Sequence, residues 1–152
     1  MIELSEAQRG QLEAFERGLD PRWPERSRIP ATILGYGEIS TVFAIDAGDL
    51  QGLAFKRMPL FETAAEVQPY RVAYEEYTRR LEEVGLHLPE HGYAWFDDEV
   101  GRPNFYIIQK RQPVGSIGNQ ALHVLPDDQV LLLVQRILGE MHRVWAFNRQ
   151  QA

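Results

Sequence analysis

Residues 34–42 read LGYGEISTV, with two glycines one residue apart between two β-prone runs. The flanking residues 32–34 and 41–45 are rich in β-branched and aromatic side chains, which predicts two strands joined by a glycine-containing turn. In a dinucleotide-binding unit the glycines would open a helix instead, and the β-branched residues that follow argue against that arrangement. Two interpretations stay open: a plain hairpin turn, or a hairpin whose bare backbone can approach a phosphate closely.

A second group of strand patterns lies further along the chain. Residues 53–58 (LAFKRM) form a β-prone run that Pro59 ends, and the runs at 93–96 and 105–108 flank a polar turn. Short β-prone runs separated by turn residues are typical of antiparallel strands. The sequence therefore predicts five antiparallel strands, three in a meander and two in a hairpin.

Three further segments show apolar residues at helical spacing: 5–18, Pro69 to Val84, and 127–147. Proline is favourable in the first turn of a helix, so we expect the second helix to begin at Pro69 and Gly85 to cap its end. The predicted fold class is α+β: a five-stranded antiparallel sheet with one packed helix, flanked by an N-terminal helix and a C-terminal amphipathic helix. The expected divisions are a helical extension and linker (1–28), the sheet domain (29–113), and a loop with the last helix (114–152).

The composition excludes several classes of function. The chain has 152 residues and no cysteine, which rules out disulfides, thiolate nucleophiles and cysteine metal sites. Its formal net charge of -6 argues against nucleic-acid binding, which needs clustered cations. The longest apolar run, Val130 to Val134, is too short to cross a bilayer, and the first residues lack the order of a secretory signal. We therefore expect a cytoplasmic protein with no nucleic-acid or membrane partner.

Lys56 is notable because this chain normally uses arginine for a positive charge. Of the 16 basic residues only Lys56 and Lys110 are lysines, and Lys56 lies within the strand run 53–58. A compact ammonium suits a close phosphate contact better than a guanidinium does. A lone strand lysine can equally be a solvated surface residue, so this alternative stays open beside the phosphate interpretation.

Taken together, residues 29–147 resemble the small lobe of the protein-kinase-like superfamily, continuing into the first helix of the large lobe. The run GLHLPE at 85–90 is similar to the aminoglycoside phosphotransferase, RIO and atypical kinase branches. The resemblance implies that a loop formed by Gly35, Gly37 and Ser40 covers the phosphates of a nucleotide. In this loop Ser40 stands where the family has its third glycine.

The resemblance also assigns residues of the second and third strands. The run LAFK at 53–56 is similar to the family's Val-Ala-Ile-Lys strand. This makes Lys56 the candidate ligand of the α- and β-phosphates and includes Ala54 among the nucleotide-binding residues. Val42 would lie below the adenine.

A helix glutamate and a hinge complete the implied nucleotide site. In the helix that follows the third strand, Glu76 is the first choice of partner for Lys56 and Glu75 the alternative, because one residue of helix rotation separates them. The hinge would be the segment Gln109 to Gln112. Its backbone groups would meet the adenine edge, which adds Gln109, Lys110 and Arg111 to the nucleotide-binding candidates.

The family's catalytic loop has no counterpart in these residues. Its His-Arg-Asp-like motif and metal-binding asparagine should follow the last helix, and no aspartate occurs after Asp128. We therefore expect no catalytic residue and no metal site in this chain, with Mg²⁺ binding only when the missing lobe is present. The alternatives are an N-terminal fragment of a longer kinase-like protein and a free-standing lobe used for binding.

The expected function is that of an ATP- or GTP-binding lobe of a kinase-like phosphotransferase, a transferase that is catalytically incomplete as this chain. The alternatives are a pseudokinase-like module for protein interaction or dimerisation, and a structural α+β domain with coincidental glycines and lysine. The helix 127–147 is apolar on all sides over 130–133. One face could therefore receive the missing C-terminal lobe or a second copy of the chain.

Overall fold

The computed structural model describes residues 1–37, 40–58, 61–113, 115–116 and 118–151, except for the side chains of Asn119 and Gln151. Two residues of the glycine run, Glu38 and Ile39, lie outside the described residues. The chain forms two compact units. The first comprises Met1–Val72 and Pro89–Arg111, and the second comprises Ala73–Leu88 and Gln112–Ala152.

The chain has an α+β architecture built on one five-stranded antiparallel sheet. Its elements are α1 (Glu6–Arg17), β1 (Ala31–Tyr36), β2 (Thr41–Ile45), β3 (Leu53–Met58), α2 (Ala64–Glu83), β4 (His91–Asp97), β5 (Pro103–Lys110), α3 (Gly118–Ala121) and α4 (Asp127–Gln151). The strand order is β1-β2-β3-β5-β4. The sheet, its five strands and the three long helices that the sequence predicted are therefore confirmed.

Helix α1 belongs to the same unit as the sheet and covers one of its faces. Its start is stabilised by a capping box, in which the Ser5 hydroxyl accepts from the Gln8 backbone N–H and the Gln8 side chain accepts from Ser5 N–H. Leu12 and Phe15 are fully buried. The Phe15 ring lies 5.2 Å from that of Phe43 on β2. Helix α1 thus contributes Leu12 and Phe15 to the core on one face of the sheet.

A buried polar cluster also ties α1 to the sheet. The Glu16 carboxylate accepts hydrogen bonds from Arg57 on β3, at 2.6 Å from Nη2, and from the Tyr106 hydroxyl on β5. Arg57 also donates to Asn104 Oδ1 at 2.9 Å. Burial alone would lower the pKa of Arg57, but the hydrogen bond and charge of Glu16 raise it above its usual value. The cluster is therefore held as an ion pair with a neutral tyrosine.

Tyr106 should make the fold sensitive to alkaline pH. Burial, reinforced by the Glu16 carboxylate, raises the pKa of Tyr106 well above its usual value, and burial also raises the pKa of Tyr70. Above about pH 10 the unfolded chain releases these protons before the folded chain does, so folding stability falls as pH rises. We expect Tyr106 to contribute up to about 1.4 kcal/mol per pH unit to this fall, and the less buried Tyr70 to contribute less.

Urea unfolding between about pH 8 and 11 would measure the effect. Tyr106→Phe should flatten the alkaline decline, whereas Tyr77→Phe, at an exposed tyrosine of α2, should leave it as steep as in the wild type. Equal slopes in wild type and Tyr106→Phe would contradict the assignment.

The opposite face of the sheet carries a second apolar cluster. Val67 and Tyr70, from the part of α2 in the first unit, pack with Met58 and Phe105. The Tyr70 and Phe105 rings are 5.2 Å apart. Both faces of the sheet are thus partly covered, one by α1 and the other by the start of α2.

The start of α2 differs from the prediction. We expected the helix to begin at Pro69, whereas it begins at Ala64 and contains Pro69. Proline lacks an N–H and normally ends or kinks a helix. Here the additional turn buries Val67 completely against the sheet, and that burial outweighs the lost backbone hydrogen bond. The predicted cap at the other end is confirmed, since Gly85 has φ of 84° just after the last helical turn.

The second unit contains the end of α2, the short helix α3 and the long helix α4. Helix α3 occupies Gly118–Ala121, where the sequence indicated only a loop around Gly115 to Gly118. Helix α4 spans 25 residues, Asp127–Gln151. None of the side chains described on α4 is fully buried.

Candidate functional site

The predicted glycine hairpin and Lys56 lie on the same face of the sheet. Antiparallel pairing aligns Gly35 with Val42, Val42 with Lys56, and Lys56 with Ile107. Directly paired residues point to the same side of a sheet. Because Phe43 and Phe55 alternate with these residues and face α1, the row lies on the face opposite α1. We call this the lysine face.

The two glycines of the hairpin differ in what the fold requires of them. Gly37 N–H donates to the Ser40 carbonyl at 2.7 Å and closes the turn. A β-carbon on Gly37 would lie 2.8 Å from Ser40 Oγ, so the turn itself favours glycine there. Among the described residues, a β-carbon on Gly35 would meet no atom within 4 Å, and Gly35 is not in the left-handed region. Gly35 adjoins a bulge in β1, but neither its φ nor a described neighbour excludes a side chain there.

Lys56 lies half-buried among small and apolar side chains of the lysine face. Ala54 lies on the same strand and face and is aligned with Gln109 of β5. Ala44, also on this face, is buried. Among the described residues of the first unit, Lys56 forms no ion pair with a carboxylate.

The two candidate glutamates lie in the second unit, on α2. Glu76 accepts hydrogen bonds from Arg79 at 2.7 Å and from Arg80 at 2.5 Å. These bonds lower the pKa of Glu76. The Glu75 backbone carbonyl accepts from the Thr78 hydroxyl. Pairing of either glutamate with Lys56 remains a prediction, in which Glu76 would have to exchange its arginine partners.

The segment expected to be a hinge begins as strand. β5 continues through Lys110, so Gln109 and Lys110 lie in the sheet. Lys110 N–H donates to Glu90 O and Arg111 N–H donates to Gly52 O, both at 2.8 Å. These two donors are committed to the protein and are not offered to an adenine edge. The side chains are also paired, Lys110 with Glu90 at 3.1 Å and Arg111 with Asp46 at 3.8 Å.

Sequence reasoning missed a charged cleft on the α1 side of the sheet. Its volume is about 540 Å³, and it lies between the C-terminal half of α1 and the β4–β5 turn. Its charged lining consists of Glu13, Glu16, Arg17, Arg57, Asp97, Asp98, Glu99 and Arg102. The pKa of Asp98 is lowered chiefly by a hydrogen bond from the Arg102 backbone N–H. The available signal was Glu16 itself, a charged residue beside Leu12 and Phe15 on the apolar side of α1.

The described residues include no group of three or more histidine, aspartate or glutamate side chains placed to hold a metal ion. Within the same residues, no helix has the length and apolarity needed to cross a bilayer. Comparison with known proteins supplies no relative: no family model, curated protein or solved structure matches this chain.

Proposed function

We propose that this chain is the nucleotide-binding part of a kinase-like phosphotransferase and binds ATP or GTP on the lysine face. The observation that carries the proposal is the cross-strand row in which Gly35, Val42 and Lys56 lie side by side. In protein kinases a glycine-rich loop between two strands covers the phosphates, and a lysine on the third strand contacts them. A glycine hairpin between β1 and β2 and a lysine on β3 support the proposal by analogy with that arrangement.

Three further features support this proposal. No ion pair joins Lys56 to a described carboxylate of its unit, so in that part of the chain a phosphate could pair with it without displacing an existing ion pair. A β-carbon on Gly35 would meet no described atom within 4 Å, which leaves the backbone at this position open to a ligand. Helix α2 follows β3 directly, which is where a kinase carries the helix whose glutamate pairs with the lysine.

For these 152 residues on their own, we propose nucleotide binding and not phosphoryl transfer. The aspartate and asparagine that kinases use as catalytic base and metal ligands have no counterpart in it. The N–H groups of Lys110 and Arg111 already donate to Glu90 O and Gly52 O, so recognition of the base would depend on other groups. We therefore expect the phosphates, rather than the base, to contribute most of the binding free energy.

A thermal-shift experiment with ATP and Mg²⁺ tests this proposal. Ligand at about 100 times its dissociation constant adds about 2.7 kcal/mol to the free energy of unfolding. For a chain of this size the midpoint should rise by roughly 5–10 °C. Lys56→Ala should melt at the wild-type temperature without ligand and show no rise with it.

Two further variants sharpen this test. Gly35→Ala should keep the unliganded stability, because its β-carbon meets no described atom within 4 Å, yet it should lose most of the ligand-induced rise in melting temperature. Arg102→Ala, in the β4–β5 turn, removes the same unit of charge as Lys56→Ala away from the lysine face and should keep the full rise. A wild type without any shift, or a full shift in Lys56→Ala, would overturn nucleotide binding on this face.

A further inference from the structure

Helix α4 exposes an apolar side to solvent along most of its length. Leu131, Leu138 and Trp145 are each more than half exposed, at 59%, 57% and 59%. An apolar stripe on an amphipathic helix is normally buried, and contiguous exposed apolar patches mark interaction surfaces. This side is distinct from the one on which Leu133 and Val144 are half-buried.

The exposed residues repeat with the spacing of a coiled coil. Steps of three and four residues alternate along Leu131, Val134, Leu138, Met141 and Trp145, which we call the heptad stripe. All five are exposed. A strict alternation of three and four places side chains along the narrow seam between two paired helices. The spacing therefore indicates a partner that is itself a helix lying along α4.

Charge at the two ends of α4 indicates what that partner is. The first turn carries Asp127 and Asp128, and the last turn carries Arg149. In a parallel pair of identical helices, aspartates would face aspartates. In an antiparallel pair, each acidic end meets a basic end, and the two helix dipoles also oppose each other favourably. The helix is thus complementary to itself when the second copy is reversed.

We propose that the heptad stripe is the seam of an antiparallel homodimer of this chain. A two-fold axis between Leu138 and Met141 brings Leu138 of one copy against Met141 of the other. The same operation brings Val134 against Trp145 and sets Asp128 beside Arg149. The contact is isologous, so each pairing occurs twice and the interface closes on itself.

Sedimentation equilibrium or light scattering of the 152-residue chain, between micromolar and 100-micromolar concentration, tests this dimer. We expect a mass twice that of the 17.5 kDa chain at the higher concentration. Leu138→Glu should weaken dimerisation by at least about 100-fold, because it places two charges in the seam. Leu132→Glu is the matched control: Leu132 is 55% exposed against 57% for Leu138 but lies outside the stripe. It should change the dissociation constant by less than about threefold.

A charge exchange tests the antiparallel orientation. Asp128→Arg or Arg149→Asp alone should weaken the dimer by about threefold for each of the two symmetry-related pairs, and the double variant should restore it. A monomeric wild type at 100-micromolar concentration would overturn the proposal and leave the stripe to a different polypeptide. Equal effects of Leu138→Glu and Leu132→Glu on the dissociation constant would overturn the assignment of the heptad stripe as the seam. If the double variant does not restore the wild-type dissociation constant, the antiparallel orientation is wrong.

Discussion

Phe15→Ala in α1 is expected to lower the free energy of unfolding by about 3–5 kcal/mol, the range for removing a fully buried aromatic ring. Phe15 has no exposed surface, and its ring lies 5.2 Å from that of Phe43. The substitution leaves a cavity between α1 and the sheet that the surrounding side chains cannot fill. The free energy of unfolding of natural domains is about 5–15 kcal/mol in total, so this variant should lose a large fraction of its stability.

Urea unfolding followed by circular dichroism measures this loss, and Tyr77→Ala provides the control. Both substitutions replace a helical aromatic residue by alanine, so the change in helix propensity is nearly the same. Tyr77 is 62% exposed, and its removal should change stability by less than about 0.5 kcal/mol. Similar losses in the two variants would show that Phe15 does not anchor α1. If the unfolding free energy of Phe15→Ala falls less steeply with urea concentration than that of the wild type, α1 is already detached from the sheet before the rest of the unit unfolds.

Glu16→Ala is the second large effect we expect, a loss of about 3 kcal/mol. The substitution leaves the Arg57 guanidinium and the Tyr106 hydroxyl without their shared acceptor. Breaking a buried ion pair from one side costs about 3–5 kcal/mol because the other charge stays desolvated. We expect the lower end of that range, since the Arg57 side chain keeps 19% of its surface exposed.

Glu13→Ala is the matched control for this prediction. Glu13 lies on the same helix, pairs with Arg9 at 3.3 Å, and keeps 33% of its side chain exposed. Exposed pairs contribute about 0.2–1 kcal/mol, so Glu13→Ala should fall within that range. The double variant Glu16→Leu with Arg57→Met should recover part of the loss, because apolar residues of similar size can replace a buried pair, while the Tyr106 hydroxyl and Asn104 Oδ1 lose their partners. A double variant no more stable than Glu16→Ala would contradict this account of the cluster.

The strands and two of the three long helices could be predicted because their signals are local. Alternating β-branched residues marked β1 and β2, and Leu12 and Phe15 marked the buried side of α1. The prediction for α2 was wrong at its start. Pro69 is a strong local signal, yet the burial of Val67 by residues distant in sequence decided where the helix begins.

The candidate site could be predicted only in part. The glycine hairpin and Lys56 were visible as residue types, but a bulge near Gly35 changes the register of β1. A shift of one residue moves a side chain to the other face of a sheet, so the sequence could not show that Gly35, Val42 and Lys56 share a face. The backbone hydrogen bonds from Lys110 N–H to Glu90 O and from Arg111 N–H to Gly52 O could not be predicted either, because both acceptors lie far away in the sequence.

By itself the sequence determined the kinds of elements in this protein and their order, because strand and helix periodicity depend on neighbouring residues. Tertiary structure alone decided that β5 lies between β3 and β4. It also decided that Glu16 meets a tyrosine 90 residues away. The physical reason is the same in both cases. The stabilising free energy comes from burial and pairing between segments far apart in the chain, and no local pattern records which distant partner provides it.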